Sequence, residues 1–66
     1  MDTRKKAIEI IRFTHAEESP ELIEAIEQAL EGEELGRDKT ESVCKCLGLD
    51  YKGNRRMIAH LIEIDN

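Results

Sequence analysis

The run bracketed by Ser19-Pro20 and Gly32 constrains this chain more than any other feature. Leu22, Ile23, Ile26, Ala29 and Leu30 recur at helical spacing, which places them on one face. Ser19 offers an N-cap oxygen, and Pro20 takes the first helical position, where a missing N–H costs nothing. Glu21 and Glu24 stand in the first turn, where the helix dipole favours negative charge. Gly32 supplies the stop. A helix with one apolar face needs other elements to cover it.

Three further helices follow from the same reading. The first spans about 3–15, with Ala7, Ile8, Ile10, Ile11 and Phe13 apolar; a strand is disfavoured by the adjacent isoleucines and the helix formers before them. Residues 36–39 read as a loop. A short third helix follows over about 40–47, with Val43, Cys46 and Leu47 inward, and Gly48 ends it. Residues 49–53 read as an extended connector in which Leu49 and Tyr51 alternate toward the core. Asn54 then caps a fourth helix reaching about residue 64, with Met57, Ile58, Leu61 and Ile62 as its buried stripe. The expected fold is all-α: a compact small four-helix domain ending in a helix–extended loop–helix unit. It forms one domain over 1–66, with an acidic helical pair over 1–36 and a helical hairpin over 37–66.

Aromatic residues support this choice by their scarcity. They make up 3% of the chain, Phe13 and Tyr51 alone, so the core is aliphatic. A domain of 66 residues buries only about 60% of its unfolded surface, which leaves no room for a deep catalytic cleft beside a core. We therefore expect no catalytic residues and no enzyme. Cys44 and Cys46 are badly placed for a structural disulfide, which suggests a reducing, cytoplasmic setting. No stretch approaches the roughly 18 apolar residues of a membrane span, and the charged opening residues do not resemble a signal peptide, so no membrane partner is expected.

Charge is unevenly distributed. Residues 1–36 hold four basic and ten acidic side chains, a net of −6; residues 37–66 hold six and five, a net of +1; the whole chain is −5. Eight glutamates and no lysine or arginine lie between Glu17 and Glu34, whereas basic residues cluster between Arg37 and Arg56. Such polarity offers two surfaces of opposite sign.

Residues 46–63 contain Leu47-Gly48-Leu49, then Tyr51-Lys52-Gly53-Asn54, then Leu61-Ile62. This stretch resembles the helix–extended loop–helix (HeH) motif of small phage and bacterial proteins, a relative of SAP and LEM domains. The resemblance implies nucleic-acid binding, as in SAP-like domains, or protein binding, as in LEM domains. Its first helix is longer in the family than over 40–47, where Gly36 and Asp38 are expected to cut it short.

Two surfaces emerge as candidates. Lys52, Gly53, Asn54, Arg55 and Arg56 surround the expected start of the fourth helix, where unpaired amides and the dipole attract phosphate. Lys39 and Lys45 would extend that patch if the third and fourth helices pack side by side. The competing explanation is a solvated turn whose arginines pair with nearby glutamates. The second surface is the acidic helix, through Glu21, Glu24, Glu27, Glu31 and Glu34. It would dock on a basic protein, against the simpler reading of a solvated face. Expected partners are thus a nucleic acid or a basic protein, with a monomer or weak homo-oligomer as the assembly.

The remaining chemistry-bearing residues support no site. Cys44 and Cys46 point about 200° apart on a helix and cannot share one ion without unwinding it. His15 and His60 are not at ligand spacing. No metal and no cofactor is expected.

Overall fold

A computed structural model describes residues 2–32 and 36–64, with residues 36–38 described by backbone alone. It contains four α-helices: α1 (Thr3–Phe13), α2 (Pro20–Glu31), α3 (Gly36–Leu47) and α4 (Tyr51–Glu63). No strand occurs among the described residues.

The starts of α1, α2 and α4 each have a capping side chain. The Asp2 carboxylate accepts the Arg4 and Lys5 amides at the head of α1. Ser19 Oγ accepts the Leu22 amide at 3.1 Å, and Pro20 opens α2 as expected. Gly32 ends α2 in an extended conformation, without the left-handed turn that glycine often supplies.

Three expectations are corrected. First, α1 ends at Phe13, because His15 adopts a φ of 59°, which no α-helix accommodates. Second, 36–39 is not a loop, since α3 starts at Gly36. Gly36 and Asp38 do not shorten it; burial of Thr40, Val43 and Cys44 outweighs the weak helix propensity of its first residues. Third, α4 begins at Tyr51, so the connector is only 48–50 and Asn54 is not the cap. Asp50 caps instead: its Oδ2 accepts the Gly53 amide at 3.1 Å, and the Asn54 side-chain amide donates to the Asp50 carbonyl at 2.8 Å. The shortened connector remains extended at Asp50, with φ −70° and ψ 123°.

The core is aliphatic. Ala7, Ile10 and Ile11 of α1 meet Ile23, Ile26, Ala29 and Leu30 of α2, Val43 and Cys44 of α3, and Ile58 of α4. On α3 it is Cys44 that is fully buried beside Val43, whereas Cys46 and Leu47 are only half-buried. Met57, Leu61, Ile62, Leu49 and Tyr51 pack, partly buried, against this cluster. Phe13 is 56% exposed and contributes nothing to this core.

The helices pack in sequence, α1 on α2, α2 on α3 and α3 along α4, and α1 closes the set against α4. Lys6 fastens that closure: its side chain is buried, its ammonium donates to the Ile64 carbonyl, and Glu9 lies 3.9 Å away. A cation at the C-terminal end of α4 also meets the negative pole of that helix. The radius of gyration is 10.3 Å, close to the ~11 Å expected of a folded chain this long. No described helix is long and apolar enough to cross a membrane.

Candidate nucleic-acid interface

Extending α4 back to Tyr51 changes what its surface presents. Tyr51, Arg55, Ala59 and Ile62 now follow one another at helical spacing along the side that meets α3. Near the start of α3, Lys39 and Thr40 face them. Together with Arg56 and Glu63 these residues enclose an open cleft of about 420 Å³ between the two helices. Among the described residues the cleft carries three cations and one carboxylate. Its apolar surface comes from Tyr51, Ala59 and Ile62.

The seven residues expected to contact nucleic acid divide into two groups. Lys39, Arg55 and Arg56 converge on the cleft. Lys45, Lys52, Gly53 and Asn54 do not line it. Lys52 and Gly53 are exposed on the first turn of α4, Asn54 is half-buried there, and Lys45 is exposed in the last turn of α3. The Gly53 amide is already engaged by Asp50, whose carboxylate occupies the place a bound anion would take. Tyr51, Thr40, Ala59, Ile62 and Glu63 were not expected at this surface. A helix read back to Tyr51 would have set Tyr51 and Arg55 one turn apart on one face; reading Gly53 as a break concealed that.

Ion pairing differs between the two halves. Three of the four cations of α1 have carboxylate partners: Arg4 with Glu27 at 3.1 Å, Lys6 with Glu9 at 3.9 Å, and Arg12 with Glu18 at 3.7 Å. Among the described residues, no ion pair engages Lys39, Lys45, Lys52, Arg55 or Arg56. Among the described residues, then, no carboxylate pairs with the cleft cations.

The acidic surface is partly neutralised from within. Glu27 accepts from Arg4 at 3.1 Å, and Glu31 accepts the Thr3 hydroxyl at 2.7 Å. Glu21 and Glu24 are exposed and form no ion pair among the described residues. Glu34 lies outside the described residues.

The cysteines are two free thiols. Burial pushes the Cys44 thiol up, with the charges of Asp50 and Glu41 adding in the same direction. Burial also raises Cys46, against the opposing pull of Lys45 and a backbone hydrogen bond. Both therefore stay protonated near neutral pH and are poor nucleophiles. His15 and His60 are exposed. No group of three or more metal-ligating side chains forms among the described residues.

Fold and cleft together define a small all-α domain with a cation-rimmed groove between its last two helices. Compared with known proteins, the chain matches no family model, no curated protein and no solved structure.

Proposed function

We propose that this chain is a non-enzymatic, nucleic-acid-associated accessory protein of phage or prokaryotic type that grips phosphates at the α3–α4 cleft. The observation that carries the reading is the convergence of Lys39, Arg55 and Arg56 on one cleft, with no ion pair to any of them among the described residues. Like charges on one surface repel one another, and a polyanion offsets that repulsion while releasing its own counterions. Nucleic-acid binding is also one of the two roles, beside protein binding, that the resemblance of residues 46–63 to the HeH motif implies. Arg55 and Arg56 are the principal contacts, Lys39 closes the cleft from α3, and Lys52 and Lys45 are outer charges beside it.

The test is an amide NMR titration of labelled protein with a short DNA duplex and, separately, with one of its strands. Shifts centred on Lys39, Tyr51, Arg55 and Arg56 that weaken as salt rises are expected. The double change Arg55→Glu and Arg56→Glu should lower affinity at least about tenfold. A spectrum silent to both ligands at low salt would sink the proposal.

A second reading rests on Glu21 and Glu24, exposed on α2 without ion pairs among the described residues. In it the chain is a small protein-interaction module or inhibitor that docks α2 on a basic protein. Reversing Glu21 and Glu24 to Lys would abolish that activity and spare nucleic-acid binding. The arginine reversals would do the opposite.

A further inference from the structure

We infer that the α3–α4 cleft takes an unpaired nucleotide, with its base against Tyr51, and that the chain prefers single-stranded nucleic acid over duplex. This rests on the phosphate reading above and adds which form of nucleic acid the cleft admits. Four observations carry it. The Tyr51 side chain is half-buried: it packs against the core and also lines the cleft. Ala59 and Ile62 continue the apolar surface beyond it. Lys39, Arg55 and Arg56 stand around that surface. The volume of about 420 Å³ falls within the ~300–1,000 Å³ of sites that hold a small organic ligand.

A duplex cannot use these features together. Its base faces are stacked inside, and it presents a convex backbone that would touch the cations and leave Tyr51 and Ile62 uncovered. An unpaired nucleotide can place its base on the ring while its phosphates meet the cations, an arrangement that tolerates any base because every base has a π-face. Two details argue against a phosphate-only site. The first-turn amide of Gly53 is held by Asp50, so α4 does not offer it to an anion. Glu63 places one carboxylate in the cleft; it repels phosphate and accepts hydrogen bonds from a base amino group or a sugar hydroxyl.

Tyr51 is the single tyrosine of a chain with no tryptophan, so its fluorescence reports this site alone. A short deoxythymidine oligomer is titrated against the full chain at low salt, beside a duplex of equal length. The expected result is tighter single-strand binding, by about fivefold or more, with quenching of the tyrosine as the base covers it. Tyr51→Phe should keep that preference, and Tyr51→Leu should lower single-strand affinity by about fivefold or more and narrow its lead over duplex. Equal or tighter duplex binding, or single-strand binding with no change in tyrosine emission, overturns the inference and leaves the phosphate reading standing. Binding of neither ligand overturns both. The fluorescence arm uses unmodified protein and decides the matter even if Tyr51→Leu fails to fold.

Discussion

His15 and Gly48 perform the same task with different residues. At the end of α1, the His15 amide donates to the Arg12 carbonyl at 3.2 Å and the Ala16 amide to Ile11 at 3.1 Å. At the end of α3, Gly48 donates to Lys45 at 3.1 Å and Leu49 to Cys44 at 2.9 Å. Both turns place their central residue in the left-handed region, at φ 59° for His15 and 71° for Gly48. In each, the following apolar residue, Ala16 or Leu49, folds back onto the core. Glycine tolerates that conformation and histidine is strained in it. His15→Gly should therefore stabilise the fold by about 0.5–1 kcal/mol, the relief of strain being offset in part by a more flexible unfolded chain. Thermal melting reads this directly, since 1 kcal/mol moves Tm by about 4–8 °C in so small a domain. Gly48→Ala is the mirror experiment: nothing lies within 4 Å of an added Cβ, so its cost comes from the backbone alone. A His15→Gly variant that melts lower would mean that the exposed imidazole makes a contribution larger than the strain. Of these two stops, the one at Gly48 was legible in the sequence. The one at His15 was legible only as an approximate helix end near residue 15, because a histidine marks the left-handed region far less strongly than a glycine does.

At the scale of the helix, boundaries were legible wherever cap and apolar pattern agree. For α2, Ser19, Pro20 and the spacing of Ile23, Ile26 and Leu30 all point to one answer, and the helix follows. At the start of α4 two signals compete. Gly53 and Asn54 suggest a turn and a cap, while Asp50 stands three residues before an amide it can accept. Asp50 prevails, for it accepts the amide of Gly53 itself and so turns an apparent break into the third residue of the helix. Asp50→Ala removes this cap and should cost about 0.5–2 kcal/mol, with faster hydrogen exchange confined first to residues 51–54. It should also strengthen nucleic-acid binding severalfold, because a carboxylate near the cationic cleft is lost and the Gly53 amide is released to an anion. Urea unfolding checks the first effect and the oligonucleotide titration the second. Loss of stability together with weaker binding would show that the cap is needed to hold Tyr51 and Arg55 in line, and would contradict the idea that Asp50 opposes the ligand.

For the molecule as a whole, the separation of charge was legible and the cleft was not. Counting residues places −6 in 1–36 and +1 in 37–66. It does not reveal that Arg4, Lys6 and Arg12 find carboxylates while Lys39, Arg55 and Arg56 share a groove; that depends on α1 lying beside α2 and α3 along α4. The groove also limits how a chain of net charge −5 can hold a polyanion. Three cations line it among the described residues, so the slope of log affinity against log salt should be about −2 on a single strand and about −3 on duplex. The acidic half weakens that dependence slightly, because salt screens its repulsion as well. If Lys45 and Lys52 reach the backbone too, the single-strand slope steepens to about −3.5. Lys52→Gln should then return it to about −3, whereas Lys5→Gln on α1 should leave it unmoved. Binding that ignores salt would show that the cleft cations do not touch phosphate. A single-strand slope steeper than about −5 would require more cations than the cleft and its flanks contain, and the nucleic acid would have to lie along another face of the molecule.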